Sequence, residues 1–370
     1  MDKVKLGVIG LGNMGGAHVK CIQEGQVPEI ELAAVADGFE ARREWAASYL
    51  PHDIPIFAEG TELIKSGRCD AVLIATPHYQ HASMSIEAFR AGLHVLCEKP
   101  AGVYTKQVRE MNRIAEESGL VFGMMFNQRT NSWFRKMHDL VQGGTLGAIK
   151  RVSWIITTWY RPQIYYDSGK WRATWDGEGG GVLLNQCPHN LDLLQWICGM
   201  PGAVRAFCHN GKWHNIEVED DVTAYLEYPN GATGTFITST ADAPGTNRFE
   251  ITLDWGKLVN EDNNKLTLYK LNINEREFCK TAKGSFDAPG YTVETIDTDG
   301  SDEQHKGVLK AFAGRILRGT PLIAEGHEGL NGLALSNAMH LSSWLETTVK
   351  LPLDEDLFLA ELTKRRRSGG

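Results

Sequence analysis

The sequence lacks the long apolar segments, cysteine pairs and basic excess that mark membrane-spanning, secreted and nucleic-acid-binding proteins. None of its apolar runs approaches the ~18 residues that a membrane-spanning helix needs. Its seven cysteines are scattered and no Cys-x-x-Cys pair occurs, which is typical of reduced thiols and predicts a cytoplasmic protein. Asp and Glu number 46 against 38 Lys and Arg, so the formal net charge of −8 argues against a nucleic-acid-binding surface.

Motifs of several enzyme classes are absent as well. The glycine-rich segment Gly10–Gly16 lacks the Gly-Lys-[Ser/Thr] ending of a P-loop, and there is no Gly-x-Ser-x-Gly nucleophile elbow. Cys208, His209 and His214 lie close together but match no zinc-binding spacing, so we expect no metal site. The chain begins with two lysines and an apolar stretch, yet the glycines that interrupt this stretch argue against a signal peptide.

The composition of the sequence is that of an ordinary globular protein. In its first part, strand and helix patterns alternate. Hydrophobic residues make up 42% and charged residues 23% of the 370 residues, which suffice for two or three domains. The alternation predicts a doubly wound parallel sheet with helices on both faces. The predicted strands are Val4–Ile9, Ile30–Ala36, Ala71–Ala75, His94–Cys97 and Leu120–Phe126. The predicted helices are Met14–Glu24, Glu40–Leu50, Thr61–Ser66, His81–Ala91 and Lys106–Glu117.

The pattern changes after Phe126 and predicts a second domain with a largely antiparallel sheet. Its predicted strands are Ile149–Trp159, Val204–Asn210, Val222–Tyr228, Thr233–Thr240, Phe249–Leu253 and Lys265–Leu271. Its predicted helices are Ser132–Gln142, Val182–Ile197, Gln304–Leu317 and Leu330–Thr347. The whole chain is therefore predicted to be an α/β protein with two different sheets.

The segment Gly10-Leu11-Gly12-Asn13-Met14-Gly15 has the pattern G-x-G-x-x-G, placed between an apolar strand and a helix. Gly10 allows a tight turn, Gly12 lets a pyrophosphate approach the backbone, and Gly15 permits close packing of helix on strand. Asn13 and Met14 lie at the start of the predicted helix, whose free N–H groups attract phosphate. The segment predicts a dinucleotide-binding loop.

Asp37 ends the second predicted strand, about 20 residues beyond the glycine motif. A carboxylate at this position accepts hydrogen bonds from the adenosine ribose hydroxyls and repels a 2′-phosphate. Asp37 therefore favours NAD over NADP, although Arg42 and Arg43 lie close enough to weaken that preference.

Two further segments, Ala75–His81 and Cys97–Pro100, follow predicted strands directly, and ligands bind at the carboxyl ends of strands in doubly wound sheets. Lys99 follows one of these strands and precedes a proline. Desolvation can lower the pKa of a lysine in such a place, so that it exchanges protons or donates to an oxygen. The alternative is a salt bridge to the neighbouring Glu98.

The ordered segments GLGNMG, AVAD, ATPHYQH, EKP and GGGVLLNQCPHNLD resemble those of the Gfo/Idh/MocA oxidoreductases, the glucose-fructose oxidoreductase or inositol dehydrogenase family. The resemblance runs from about Val4 to about Leu351. It implies a Rossmann NAD-binding domain (1–126), a substrate-binding and oligomerisation α/β domain with an open, mostly antiparallel sheet (127–350), and a C-terminal helix with a basic tail (351–370). It also implies oxidation or reduction of a sugar, glycoside or cyclitol.

The resemblance also assigns individual residues. Lys99 matches the catalytic lysine of the EKP segment, and His189 matches the catalytic histidine. Asn185 stands four residues before that histidine, where many members have Asp, so one carboxylate of an Asp–His relay is missing while an amide remains for a sugar hydroxyl. The residues implied to line the nicotinamide pocket and its neighbouring loop are Thr76, Pro77, His81, Glu98 and Pro100.

Further substrate-binding candidates come from the residues themselves. On the predicted helix Val182–Ile197, Asn185 and His189 are spaced i, i+4 and share one face, with Asp192 within reach of His189. A cluster of aromatic residues precedes this helix, and flat rings suit the C–H faces of a sugar. The other candidates are Arg129, Tyr160, Tyr166, Trp171, Arg172 and Lys99.

The expected reaction is hydride transfer between the substrate carbon and C4 of the nicotinamide. One of Lys99 and His189 takes the hydroxyl proton and the other stabilises the oxyanion, and the sequence leaves open which does which. NAD is either released or recycled within one turnover. The alternatives are a redox-assisted glycosidase, which oxidises C3 and eliminates the aglycone, and a non-catalytic dinucleotide sensor. A homodimer or homotetramer formed through the second sheet is expected, with no nucleic-acid or membrane partner.

Overall fold

The computed structural model describes residues Lys3–Ser368, which form two compact units. The first unit contains the chain up to Thr130, Gly177–Gly179 and Asp302–Leu333. The second contains Asn131–Asp176, Gly180–Ser301 and the chain from Ala334 onward. Residues 1, 2, 369 and 370, which begin and end the predicted domains, lie outside the described residues.

The first unit is built on a six-stranded parallel sheet, as the alternating sequence pattern predicted. Its strands are β1 (Val4–Ile9), β2 (Ile30–Ala36), β3 (Ile56–Phe57), β4 (Ala71–Ile74), β5 (His94–Cys97) and β6 (Phe122–Met124). They lie in the order β3-β2-β1-β4-β5-β6, and every described pair is parallel. The strand order reverses beside β1, and ligands of such sheets bind at the carboxyl ends of the strands there.

The α-helices of residues 3–368 are α1 (Asn13–Gln23), α2 (Glu40–Tyr49), α3 (Gly60–Lys65), α4 (His78–Arg90), α5 (Thr105–Ser118), α6 (Ser132–Gln142), α7 (Gln163–Asp167), α8 (Pro188–Cys198), α9 (Glu275–Thr281), α10 (Gln304–Arg318), α11 (Gly329–Trp344) and α12 (Glu355–Ser368). Two short 3₁₀ segments span Asn127–Thr130 and Gly326–Glu328. None of the helices in this range is both long and apolar enough to cross a membrane.

The core of the first unit includes a helix that the sequence pattern places in the domain 127–350. Val308, Leu309 and Phe312 of α10 are buried in one cluster with Leu6 and Val8 of β1. The periodicity of α10 predicts a buried face, but it carries no information about which sheet covers that face. The compact units are therefore discontinuous in sequence, whereas the predicted domains were consecutive segments.

The second unit is built on a nine-stranded, mostly antiparallel sheet. Its strands are β7 (Ile149–Ile156), β8 (Ala203–Asn210), β9 (Glu219–Glu227), β10 (Thr233–Ser239), β11 (Asn247–Leu253), β12 (Gly256–Glu261), β13 (Lys265–Leu271), β14 (Tyr291–Ile296) and β15 (Val349–Lys350). The order is β14-β13-β12-β11-β7-β10-β9-β8-β15. Only the β7–β10 pair is parallel among the described strands of this sheet.

The two faces of this sheet differ in burial. Trp154 of β7 is buried on one face, where its ring stacks on Phe249 with centroids 4.1 Å apart. On the other face Ile155, Tyr225 and Phe207 remain 37%, 42% and 54% exposed. Alternation with period two puts these residues on opposite faces, as expected for strands that are buried on one side.

Several elements differ from the sequence prediction. The predicted helix Val182–Ile197 was wrong in its first part, because residues 182–187 form turns and α8 begins only at Pro188. Pro188 occupies the first helical turn, where its missing N–H leaves no bond unmade. Four strands were missed: β3 and β15 are two residues long, β12 begins with Gly256, and β14 is exposed along most of its length.

Candidate functional site

The glycine motif forms a tight loop between β1 and α1. Gly10 has a φ of 91°, and a Cβ on Gly15 would lie 1.7 Å from the carbonyl oxygen of Gly10. Around Gly12 the space is open, since a Cβ there would meet no described atom within 4 Å. The Gly12 N-cap supplies no side-chain hydrogen bond to α1. The N–H groups of Asn13 and Met14 in its first turn therefore suit an anionic ligand.

Asp37 lies directly after β2 and holds the neighbouring loops. Its Oδ2 accepts a hydrogen bond from the Leu11 N–H at 2.6 Å, and its Oδ1 accepts one from the Phe39 N–H at 2.8 Å. A carboxylate has about four lone-pair sites, so Asp37 retains capacity for ribose hydroxyls. Arg43 donates to the backbone carbonyls of Asp37 and Gly38, at 2.8 Å each.

The loop after β4 contains Thr76 and Pro77, and α4 begins at His78 rather than at the predicted His81. His81 is buried, with Nδ1 2.6 Å from the Pro100 carbonyl oxygen and Nε2 2.7 Å from that of Thr76. Burial lowers the pKa of His81, although the two carbonyl groups oppose this shift. His81 thus ties together the loops that follow β4 and β5.

The Thr76 hydroxyl is a polar group of this loop that suits a ligand. Its Oγ1 is buried and has no hydrogen-bond partner among residues 3–368. A buried hydroxyl without a partner costs stability unless a ligand or water satisfies it. Thr76 therefore fits the side of a cofactor site, at the end of β4 where the sequence placed it.

Glu98 and Lys99 follow β5 directly, and Glu98 is buried against α1. Its Oε1 lies 2.7 Å from Nε2 of His18, and its Oε2 accepts a hydrogen bond from the Lys99 N–H at 3.1 Å. Burial by itself would raise the pKa of Glu98, but His18 and the charge of Lys99 bring it down to about 2. Glu98 is therefore ionised, and it places a negative charge beside the half-buried Lys99.

His18 and His305 were not among the site residues expected from the sequence. Their rings meet edge-on with centroids 5.4 Å apart, and burial lowers the pKa of His305. His18 occurs in the helix that follows the glycine motif, but nothing in the sequence shows which face of α1 meets the end of β5. The contact between His18 and Glu98 therefore becomes visible only in the folded structure.

Arg129 lies in the 3₁₀ segment after β6 and is buried in the first unit. Its Nη1 lies 2.6 Å from Oε2 of Glu328, and its guanidinium is 5.5 Å from the ring centre of Phe126. The structure therefore gives this guanidinium an ion-pair partner within its own unit. Its role in substrate binding stays a prediction.

In the second unit, the predicted i, i+4 relation of Asn185 and His189 on one helix is wrong. Asn185 lies in the turn before α8, whereas the half-buried His189 is the second residue of the helix. The Oδ1 of Asp192, which the sequence placed within reach of His189, accepts a hydrogen bond from Gln195 Nε2 at 3.1 Å.

Tyr165 joins several of the predicted substrate-binding residues. Its hydroxyl oxygen accepts from Arg172 Nη1 at 2.9 Å, from Asn185 Nδ2 at 3.3 Å and from Gln186 Nε2 at 3.4 Å. The Arg172 guanidinium lies 4.5 Å from the Tyr165 ring centre and 4.6 Å from that of Trp171. The structure thus brings Trp171, Arg172 and Asn185 together around Tyr165, which is one of the aromatic residues that precede α8 in sequence.

Tyr166 and Tyr160 differ in their surroundings. Tyr166 is buried, and its hydroxyl donates to Oγ1 of Thr240 at 2.8 Å. Burial raises the pKa of Tyr166 to about 12. This side chain is already bonded within the unit, whereas Tyr160 is exposed. Of the two tyrosines, only Tyr160 presents its ring to an approaching ligand.

No group of three or more His, Cys, Asp and Glu side chains within residues 3–368 could hold a metal ion. Cys208 is a free thiol, half-buried, and its backbone N–H bonds to Ser343 Oγ. His214 lies with Nδ1 2.9 Å from Asp220 Oδ2 and Nε2 2.8 Å from the Arg161 carbonyl oxygen. These residues have structural partners in this unit.

Comparison with known proteins identifies the class that this fold and loop define. Residues 4–126 match the model of an oxidoreductase family with an NAD-binding Rossmann fold, and residues 134–259 match the Gfo/Idh/MocA C-terminal domain. The chain thus has the N-terminal NAD-binding domain of an oxidoreductase family. It belongs to the Gfo/Idh/MocA family, which confirms the resemblance seen in its motifs.

Three relatives illustrate the similarity. The rhizopine catabolism protein MocA of Rhizobium meliloti is 30% identical over 199 residues, which are 54% of this chain and 58% of MocA, less than two thirds of its length. Myo-inositol 2-dehydrogenase of Thermotoga maritima is 23% identical over 360 residues, covering 94% of this chain and 98% of that protein. The crystal structure of the WlbA dehydrogenase from Bordetella pertussis, in complex with NADH and UDP-GlcNAcA, has a TM-score of 0.79 at 25% identity, covering 95% of this chain and 100% of WlbA.

Proposed function

We propose that this protein is an NAD-dependent dehydrogenase that acts on a hydroxyl or carbonyl group of a sugar, glycoside or cyclitol. One observation carries the proposal: the carboxyl edge of a single parallel sheet presents Gly12 after β1, Asp37 after β2, Thr76 after β4 and Lys99 after β5. Ligands of open α/β sheets bind at this edge. A dinucleotide-binding set and a candidate proton-transfer group therefore occupy the same edge.

The residues of the first unit fit NAD. The open space at Gly12 and the N-terminus of α1 suit its pyrophosphate, and the Asp37 carboxylate suits the hydroxyls of its adenosine ribose. The Thr76 hydroxyl, which has no partner among the described residues, supplies a further hydrogen bond to this cofactor. When bound, NAD supplies the C4 atom that accepts or returns the hydride.

Lys99 and His189 are the groups that we assign to proton transfer. In the oxidising direction one of them takes the hydroxyl proton, and the other donates a hydrogen bond to the developing oxyanion. Such a donor contributes on the order of 3 kcal/mol to the transition state. The ionised Glu98 directly precedes Lys99 and accepts a hydrogen bond from its backbone N–H, which fixes the start of the segment that carries this side chain.

The second unit supports a polyhydroxylated substrate. Trp171 and Tyr160 expose flat rings, and Asn185, Arg172 and the Tyr165 hydroxyl form a connected set of polar groups. A sugar presents C–H faces, which pack on apolar rings, and hydroxyl groups, which bond to convergent polar groups. The inositol dehydrogenase and the WlbA–UDP-GlcNAcA complex among the relatives support the same substrate class.

The test is a screen of sugars, sugar acids, inositols and glycosides with NAD, followed at the nicotinamide absorbance band. We expect NADH formation with at least one of these classes in the unmodified protein and its loss in Lys99→Ala. Lys106→Ala, which removes another lysine from the same unit, is the matched control and is expected to keep full activity.

Other outcomes identify the alternatives. Release of an aglycone from a glycoside without net NADH indicates a redox-assisted glycosidase. Sugar-to-sugar hydride exchange with substoichiometric NAD indicates that the cofactor is recycled. Binding of NAD without turnover of any tested class contradicts the proposed function and favours a dinucleotide sensor.

A further inference from the structure

The turn before α8 has an unusual source of hydrogen bonds. The Gly181 N–H donates to both carboxylate oxygens of Glu219 at 2.9 Å, and the Leu183 N–H donates to Oε1 at 3.0 Å. The Val182 N–H donates to the backbone carbonyl of the same Glu219, also at 3.0 Å. Three consecutive buried N–H groups of an irregular segment therefore depend on one residue.

Glu219 is itself 0% exposed, and a buried carboxylate is costly unless it is paired. Its Oε2 lies 3.0 Å from Nε2 of His340, which is 1% exposed. Burial would raise the pKa of Glu219, but His340 and the two N–H groups hold it below its ordinary value. The carboxylate is therefore ionised, and both of its oxygens have hydrogen-bond or ion-pair partners.

The imidazole of His340 is in turn held by two indole rings. Trp344 stacks on it with centroids 5.4 Å apart, and Trp175 meets it edge-on at 5.5 Å. The approach of the turn to Glu219 also requires glycine, because a Cβ on Gly181 would lie 1.9 Å from the Glu219 carbonyl oxygen. Glu219 is thus held on one side by His340 and its two tryptophan neighbours, and on the other side the turn approaches it closely at Gly181.

The turn continues directly into the proposed substrate-binding residues. The Asn185 N–H donates to the Gly181 carbonyl at 2.9 Å, and the Cys187 N–H donates to that of Val182 at 2.8 Å. The helix that carries His189 begins immediately afterwards, at Pro188. Fixing residues 181–183 therefore fixes where Asn185 stands and where α8 begins.

We propose that Glu219, paired with His340, is a positioning residue for the substrate-binding turn. Its side chain is long enough to place carboxylate oxygens at hydrogen-bond distance from the Gly181 and Leu183 N–H groups, and this holds the turn in place. The kinetic consequence rests on the proposed dehydrogenase function, whereas the anchoring of the turn does not. The experiment must distinguish the length of the Glu219 side chain from its negative charge as the property that matters. A group that merely balances buried charge has to be anionic, whereas a group that holds N–H donors has to present an oxygen at the right distance.

Two conservative variants separate these roles. Glu219→Gln keeps an oxygen where Gly181 and Leu183 donate and places an amide N–H toward His340, so we expect KM and kcat for the substrate within about threefold of the unmodified protein. Glu219→Asp keeps the charge but withdraws the oxygens by one methylene. We expect it to raise KM and lower kcat/KM by on the order of tenfold to a hundredfold, with NAD affinity unchanged. Glu227→Asp, in the same strand and exposed, is the matched control.

Hydrogen exchange of the peptide that covers residues 180–187 gives a second readout that needs no activity. We expect its protection to be kept in Glu219→Gln and Glu227→Asp and lost in Glu219→Asp. Unchanged protection in Glu219→Asp overturns the inference. A loss of protection or of kcat/KM in Glu219→Gln, with both kept in Glu219→Asp, overturns it as well. If the unmodified protein turns over no sugar, the proposed function fails, and the exchange measurement alone decides whether Glu219 holds the turn.

Discussion

The Nε2 atom of His18 lies 2.7 Å from Oε1 of Glu98, and both side chains are buried. This contact joins the helix that follows the glycine loop to the residue that precedes Lys99. The pKa of Glu98 is about 2 instead of its ordinary 4.5. Because the folded-state value is depressed, the resulting stabilisation is present above the ordinary carboxyl pKa and is lost as the pH falls through about 2.

We therefore expect His18→Ala to lower the free energy of unfolding near neutral pH by roughly 1–3 kcal/mol, since a buried carboxylate loses its partner. The variant is also expected to unfold at a higher pH on acidification, because the pKa of Glu98 rises. Urea titrations at several pH values measure both effects. His52→Ala, which removes an exposed histidine of the same unit, is the control, and equal stability of the two variants contradicts the prediction.

Cofactor choice tests the role of Asp37. We expect the unmodified protein to bind NAD more tightly than NADP, because a 2′-phosphate would face this carboxylate. Asp37→Ser is expected to narrow the difference by on the order of tenfold, mainly by weakening NAD. Calorimetric titration with both dinucleotides measures this, with the exposed Glu40→Ser as control. Equal or tighter binding of NADP by the unmodified protein removes this interpretation.

Loss of a proton-transfer group should lower kcat without weakening the cofactor. We expect Lys99→Ala to reduce kcat by ~10²–10⁴ and His189→Ala to do likewise. NAD affinity should change little, because its pyrophosphate and ribose contacts lie elsewhere. The double variant should be far from additive if the two groups serve one transition state. Near-full turnover by Lys99→Ala would falsify the assignment of its central residue.

Tyr165 and Tyr166 are adjacent, and their hydroxyl groups are expected to matter in different ways. Tyr165→Phe removes the acceptor shared by Arg172 and Asn185, so we expect a several-fold higher KM with little change in stability. Tyr166→Phe removes the bond to Thr240 and should lower the free energy of unfolding by about 0.5–1.5 kcal/mol without changing KM. Steady-state kinetics and thermal unfolding of both variants measure the contrast, and the reverse pattern would show that the wrong tyrosine has been assigned.

The partly exposed face of the nine-stranded sheet leads us to expect a homodimer or homotetramer. Ile155, Tyr225 and Phe207 share this face, and exposed apolar residues grouped in this way mark interaction surfaces. Arg248 lies on it beside Glu250 and Glu261, a pattern of charges that suits a second copy of the same surface. Light scattering at micromolar concentration should give a multiple of the chain mass, and Phe207→Asp should lower it. A monomeric mass for the unmodified protein contradicts this expectation.

Much of the cofactor site could be predicted because its signals are local. A glycine with positive φ at residue 10, a helix start directly after it and a carboxylate at the end of the next strand each depend on residues close in sequence. The parallel order of the first sheet follows from alternating strands and helices and from the handedness of their connections. The second sheet was predicted less completely, because β15 has only two residues and shows no periodicity, and β14 is exposed along most of its length.

By itself the sequence determined the glycine loop, Asp37, the position of Lys99 after a buried strand and the membership of the family, since each is a short pattern with a strong backbone preference. Only the tertiary structure decided which buried side chains meet. His18 reaches Glu98 across 80 residues, Glu219 reaches Gly181 across 38, and α10 joins the core of the first unit although it follows most strands of the second sheet in sequence. It also decided that Asn185 stands in a turn, because the N–H groups of Gly181 and Leu183 bond to the Glu219 carboxylate and α8 begins only at Pro188. Such pairings depend on how whole elements pack, and packing is a property of the folded chain that no window of neighbouring residues contains.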